Sequence, residues 1–185
     1  MKKAANDTAL SFASIAEAQP TENPIAESNV DAAQPVTLSI GQKYQGGIIF
    51  YLDGTQTNGL IAAEEDQGHY PWSFYYTFTG ATSSDFGSGK QNTEAIINSE
   101  GEGQYAARIC YNLELNGYDD WYLGSRNEML ILYQNRQKFG NFLKDLYWHS
   151  IGADGVYAGY QDFNTGNSGS YVKTSPAYIR AIRSF

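Results

Sequence analysis

The stretch from Tyr147 to Phe185 constrains this chain most. Glycines at 152, 155, 159, 166 and 169 break it into short pieces, and Tyr157, Tyr160 and Tyr171 stand among Ser, Asn and Asp. Such a segment reads as short strands and loops, opened by the aromatic pair Tyr147-Trp148 and closed by the alternating run Tyr178-Ile179-Arg180-Ala181-Ile182-Arg183. Tyrosines beside small polar residues make adaptable contact surfaces. The rigid ring supplies area at low entropic cost, while Ser, Gly and Asn supply adjustable hydrogen bonds. The same composition also serves a loop-rich fold whose tyrosines fill a core.

Composition narrows the classes. Charged residues make up 17% of the chain, and its 15 Tyr and 19 Gly against 5 Pro describe a loop-rich folded protein. A net charge of −8 argues against binding a nucleic-acid backbone, which needs a basic stripe. The single cysteine, Cys110, makes neither an internal disulfide nor a multi-cysteine zinc site. No apolar run approaches the length of a membrane span, so membrane insertion is not expected.

Residues 1–38 read as a flexible tail, with Pro20, Pro24 and Pro35 interrupting an Ala, Ser, Glu and Asn mixture. A tether, a short amphipathic helix and an export signal opening on Lys2-Lys3 all fit it. The domain expected over 39–185 begins with a buried strand, Ile48 to Leu52. A turn from Asp53-Gly54 to Asn58-Gly59 follows, and Leu60 to Ala63 returns as the partner strand. Asp53, Thr55 and Asn58 miss the spacing of a calcium loop. Glu64 to Gly89 reads as a long loop with Tyr70, Trp72, Phe74, Tyr75, Tyr76, Phe78 and Phe86 as aromatic anchors. Its Glu64, Glu65, Asp66 and His69 read as a solvated acidic turn. Gly87-Ser88-Gly89-Lys90-Gln91 is no phosphate loop, because Ser84 stands at the upstream glycine position and Gln91 where the metal-binding Ser or Thr belongs.

Asn92 or Thr93 is expected to cap a short turn through Ile97. Tyr105, Ala106, Ile109, Cys110 and Leu113 recur at helical spacing, which places Cys110 on an apolar face. Asn116-Gly117 marks a stop and turn. Ser125-Arg126-Asn127-Glu128 fits a capping box that opens a second helix carrying Met129, Leu132 and Tyr133.

Read in order, these stretches resemble the Lcl C-terminal domain family. The resemblance rests on Gly46 to Tyr51, Gly59 to Ala63, Leu115-Asn116-Gly117-Tyr118-Asp119-Asp120-Trp121-Tyr122-Leu123 and Ser125 to Glu128. It continues through Tyr147-Trp148-His149-Ser150, Gln161-Asp162-Phe163 and Tyr178 to Arg183, covering roughly residues 40–185. Gly124, His149 and Gly159 stand where the family commonly has Pro, Ser and an aromatic residue. The resemblance implies an α+β, C-type-lectin-like domain with two helices, a small mostly antiparallel sheet joining the chain ends, and long loops.

The resemblance further implies a non-enzymatic ligand-binding or display protein of the cell surface or a virion. Some members are variable proteins of diversity-generating retroelements, including those of phages and archaeal viruses, in which adenine-directed mutagenesis diversifies the terminal segment. An Asn codon of the form AAY randomised at both adenines cannot give Glu, Gln, Lys, Met or Trp. Between His149 and Tyr178 only Gln161 and Lys173 belong to that set.

In that reading Trp148, Phe163, Ile179 and Ile182 are core anchors. His149, Asp154, Tyr157, Tyr160, Asp162, Asn164, Asn167, Tyr171 and Tyr178 are the contact residues, centred on the tyrosines at 157, 160 and 171. The partner would be a surface protein or a glycan. No cofactor, metal or catalytic residue is implied, and oligomerisation stays open. An invariant adhesin or glycan-binding domain on the same fold is the alternative, with Lys173, Arg180 and Arg183 as its only local cations toward a polyanion. Formylglycine-generating enzymes share the fold class but use paired cysteines, and this chain has only Cys110.

Overall fold

The computed structural model describes residues 37–185. The expected tail falls outside the described residues except for its last two, and the second of these, Leu38, is buried in the core. The described residues form an α+β domain of three helices and two five-stranded sheets.

The first sheet is built from β1 (Lys43–Tyr44), β2 (Gly47–Leu52), β3 (Gly59–Ala62), β5 (Tyr122–Leu123) and β10 (Ala181–Ser184), in the order β1-β2-β3-β10-β5. Its members pair antiparallel throughout. The expected early hairpin is β2–β3. Its turn is closed by Asp53, whose Oδ1 accepts the Thr55 N–H at 3.0 Å and whose Oδ2 accepts from Asn58 Nδ2 at 3.1 Å. The early strand and the chain's end do share this sheet, with β3 between them. Both faces are covered, since Ile49, Ile61 and Ala181 join one core while Phe50, Leu60, Ala62 and Ile182 join another. A doubly covered sheet explains why these strands read as continuous apolar runs.

The second sheet takes the order β4-β9-β6-β7-β8, where β4 is His69–Pro71, β6 Leu146–Gly152, β7 Tyr157–Asp162, β8 Ser168–Val172 and β9 Pro176–Tyr178. It is antiparallel except for the β6–β9 pair. One small sheet was the expectation, and here the structure corrects it. The run from Tyr178 to Arg183 is not a single strand. It leaves the second sheet at Tyr178, crosses at Ile179-Arg180, and enters the first sheet at Ala181. The crossing explains how Ile179 and Ile182, which strict alternation would set on opposite faces, are both wholly buried.

The helices number three rather than two. The stretch expected to be a short turn is α1 (Gly89–Glu100), the longest helix, and Asn92 and Thr93 lie inside it rather than capping it. Its buried positions are Gly89, Asn92, Thr93, Ile96, Ile97 and Glu100, a helical stripe written largely in polar residues. Asn92 Nδ2 donates to the Ser83 carbonyl at 2.7 Å and to Ser150 Oγ at 3.1 Å, so the buried amide is satisfied. Next comes α2 (Ala106–Tyr111), which buries Cys110 as its spacing requires. Asn116 (φ 55°) and Gly117 (φ 83°) make the tight turn that bridges Leu115 to Tyr118. Finally α3 (Arg126–Asn135) opens on the capping box, with Ser125 N donating to Glu128 Oε2 at 2.6 Å and Glu128 N to Ser125 Oγ at 3.3 Å. None of these helices is long and apolar enough to cross a membrane.

Candidate functional site

The terminal segment folds into β6, β7, β8 and β9, so its candidate residues are placed by strand alternation. In the β7–β8 register Ala158 faces Tyr171, Gly159 faces Ser170 and Tyr160 faces Gly169. Directly paired residues and those two apart share a face, whereas adjacent residues do not. Tyr160 and Tyr171 therefore lie on one face, beside Trp148, whose ring centroid is 6.1 Å from that of Tyr171. Tyr157 projects from the other face. The expected cluster of three tyrosines is thus divided in two by the pleat of the sheet. Tyr157 and Tyr171 are about two-fifths exposed, while Tyr160 is partly buried against the core.

The remaining candidates separate by what the fold asks of them. Asp154 is exposed, but its Oδ1 accepts the N–H groups of Val156 at 2.6 Å and Tyr157 at 2.7 Å, closing the β6–β7 turn. Asp162 does the same for the β7–β8 turn, accepting from Asn164 N at 2.7 Å and Thr165 Oγ1 at 2.6 Å. Backbone donors at Tyr157 and Val156 hold the Asp154 carboxyl below the usual carboxylate range. Asn164 and Asn167 are exposed at the tip of that second turn. Tyr178, partly buried, packs its ring 4.6 Å from that of His69.

His149 departs furthest from the expectation of a contact residue on the surface. It is only 3% exposed, because its ring occupies the space that a side chain at 159 would fill. A Cβ built at Gly159 would meet His149 Cε1 at 1.8 Å. Glycine at this position is what admits the imidazole. Burial, aided by the nearby Arg126 charge, lowers its pKa to about 3. With the folded value depressed below the unfolded one, His149 contributes stability that is fully present above about pH 6.5 and is lost as pH falls toward 3. Urea melts between pH 7 and pH 4 should show that loss, and His149→Gln should flatten it. An unchanged slope in the variant would remove His149 as its source.

The cations expected on a polyanion surface are spent inside the protein. Lys173 and Arg180 are wholly buried and Arg183 is 5% exposed. Arg180 Nε donates to Asp66 Oδ1 at 2.7 Å, and its Nη1 donates to the carbonyls of Ala63 at 2.9 Å and Glu64 at 3.0 Å. Nη2 lies 2.7 Å from the same carboxylate oxygen at an angle too poor for a hydrogen bond, so it adds charge attraction only. The expected solvated acidic turn is therefore partly an anchor. Arg183 holds Asp120 through two contacts, at 2.5 and 3.1 Å, and stacks over Tyr118.

A second surface was missed by pattern alone. Among the expected aromatic anchors of the long loop, Trp72 is wholly buried, but Phe74, Tyr75, Tyr76 and Phe78 are 52–64% exposed. The backbone beneath them is fixed from inside. Ser73 Oγ donates to buried Glu100 Oε2 at 2.6 Å and accepts the Tyr75 N–H at 2.9 Å, while Thr77 Oγ1 donates to the other Glu100 oxygen. Lys173 Nζ donates to the Thr77 carbonyl at 2.6 Å and sits 4.7 Å from the centre of the Trp72 ring. The loop also adjoins the terminal segment. Tyr76 hydroxyl lies 3.2 Å from Thr174 Oγ1, and the Tyr76 carbonyl approaches Gly155. A run of exposed aromatics on a tethered loop makes a second candidate contact surface, since large exposed apolar patches mark interaction sites.

No protein-family model matches the chain, and no curated protein matches it.

Proposed function

We propose that this protein is a non-enzymatic binding protein with a C-type-lectin-like fold, in which the segment from about His149 to Tyr178 is a diversified recognition surface. One observation carries the reading. Gln161 and Lys173, the two residues of that segment that mutagenesis of AAY codons cannot produce, are both wholly buried. Both also hold the structure together. Gln161 Oε1 accepts from Ser168 Oγ at 2.8 Å across the β7–β8 pair, and Lys173 tethers the aromatic loop. The exposed positions, among them Ala153, Asp154, Val156, Tyr157, Asn164, Asn167, Ser170, Tyr171 and Thr174, all belong to the producible set. Scaffold and display are then separated by burial within one segment.

The one cysteine offers no reactive thiol. Cys110 is wholly buried, and burial pushes its thiol far above the ordinary range, so it acts as a small apolar group. The decisive test is the coding neighbourhood. A near-copy of the terminal coding segment, altered at adenines and adjoining a reverse transcriptase gene, is the expected finding. Identical terminal segments across many isolates would defeat diversification.

A second reading, a fixed adhesin, is favoured by the position of Phe74, Tyr75, Tyr76 and Phe78 outside the terminal segment. Binding to an array of glycans and candidate surface proteins separates the two. The adhesin loses affinity on Tyr75→Ser with Tyr76→Ser, by several kcal/mol for paired aromatic anchors, roughly a hundredfold or more. The display protein loses it instead on Tyr157→Ser with Tyr171→Ser. Neither pair should shift the melt, because all four rings are exposed.

A further inference from the structure

We propose that a cavity of about 290 Å³ between the start of α3 and the β6–β8 strands binds the carboxylate of a small polar ligand. It is lined by Ser84, Arg126, His149, Gly159, Ser168 and Ser170 among others. The site is distinct from the aromatic loop, and it reaches beyond the macromolecular recognition proposed above.

The donors are what select a carboxylate. His149 is almost wholly buried, and its Nδ1 accepts the Ile151 N–H at 3.3 Å. That bond places the proton of the neutral ring on Nε2. Among the described residues Nε2 has no hydrogen-bond partner, and it is not fully enclosed, so its N–H faces the cavity. Arg126 is exposed and close enough to act on His149, yet among the described residues its guanidinium makes no ion pair or hydrogen bond. A planar guanidinium fork beside one neutral N–H suits a singly charged, planar oxyanion.

The rest of the lining fits a small polar body. The hydroxyls of Ser84 and Ser170 have no side-chain partner among the described residues, while Ser168 Oγ donates to Gln161 and keeps its lone pairs free. Gly159 contributes no side chain, and His149 fills the room its Cβ would need. The volume lies at the lower limit for ligand pockets, enough for an amino-acid-sized or single-sugar acid. A dianion such as sulfate would meet one arginine within a protein of net charge −8.

NMR of the full chain at pH 7 tests this, reading the His149 Cε1–H signal with His69 as an internal reference. The probes are acetate, acetamide as its neutral counterpart, inorganic sulfate, N-acetylaspartate and glucuronate. Acetate should move the His149 signal saturably and acetamide should not. Saturation by N-acetylaspartate or glucuronate at lower concentration supports the site and identifies the source of the carboxylate. Arg126→Gln, a change at an exposed position, should weaken the response roughly tenfold or more. Gly159→Ala, which drives the imidazole from its seat, should abolish it. An equal response to acetamide, tighter binding of sulfate, or an acetate response unchanged in Arg126→Gln would each overturn the proposal, as would no saturable shift with any carboxylate. No macromolecular partner enters the measurement, so its failure leaves the display reading standing.

Discussion

Arg180→Ala is expected to destabilise the domain by about 3–5 kcal/mol, the cost of breaking a buried ion pair from one side. Arg180 is wholly buried at the point where the chain crosses from the second sheet to the first. Among the described residues, its removal takes from the Asp66 carboxylate its only cation and leaves the Ala63 carbonyl without a donor, while the Glu64 carbonyl keeps Asn141 Nδ2. The ring of Phe142, over which the guanidinium stacks at 4.1 Å, loses its cover as well. Tyr147, whose hydroxyl donates to the second Asp66 oxygen at 2.8 Å, ties the same carboxylate into the aromatic core. Chemical denaturation of Arg180→Ala and of Arg180→Ala with Asp66→Asn checks the mechanism. The double variant should recover part of the loss, because the orphaned charge is gone. A loss below about 1 kcal/mol in the single variant would show that water replaces the arginine at no great cost.

Trp148→Ala is expected to cost a similar amount, about 3–5 kcal/mol, through the cavity it opens. The indole is wholly buried, and its Nε1 donates to the Tyr70 carbonyl at 3.0 Å, joining β6 to β4 across β9. Loss of the ring removes that tie between the strands and the support beneath Tyr171. Asn164→Ser is the contrasting change. Asn164 is exposed in the β7–β8 turn, and its contribution there is a backbone N–H to Asp162, which serine retains. It should stay within about 0.5 kcal/mol of the parent. Thermal melts of both variants decide the division into scaffold and display. A silent Trp148→Ala beside an unfolding Asn164→Ser would invert it.

Local patterns determined a good part of this architecture. The β2–β3 hairpin follows from two apolar runs joined through Asp53-Gly54 and Asn58-Gly59, because such turns are closed by short-range hydrogen bonds. The start of α3 is written in Ser125 and Glu128, and the tight turn in Asn116-Gly117, for the same reason. Burial of Cys110 and of Trp148, Phe163, Ile179 and Ile182 follows from their apolar character. Hidden from pattern was α1, since its inward stripe uses Asn92, Thr93 and Glu100, whose burial is tolerable only once Ser83, Leu123, Ser150, Ser73 and Thr77 arrive from elsewhere.

The surface was decided by tertiary structure. Sequence supplied Tyr157, Tyr160 and Tyr171 at attractive spacing, but only the β7–β8 register sets Tyr157 apart from the other two. Phe74, Tyr75, Tyr76 and Phe78 look like core residues until Glu100 and Lys173, distant in the chain, fix the loop that carries them. His149 and Gly159 share one space, a fact that exists only where β6 lies against β7. The break between β9 and β10 has the same origin: a strand of continuous pattern changes sheets because Arg180 finds its partners, Asp66, Ala63 and Glu64, at the crossing. Apolar patterning and turn chemistry act over a few residues and can be read from the chain. Pairing between buried polar groups far apart in sequence cannot, and in this protein such pairs position the loops and the surface.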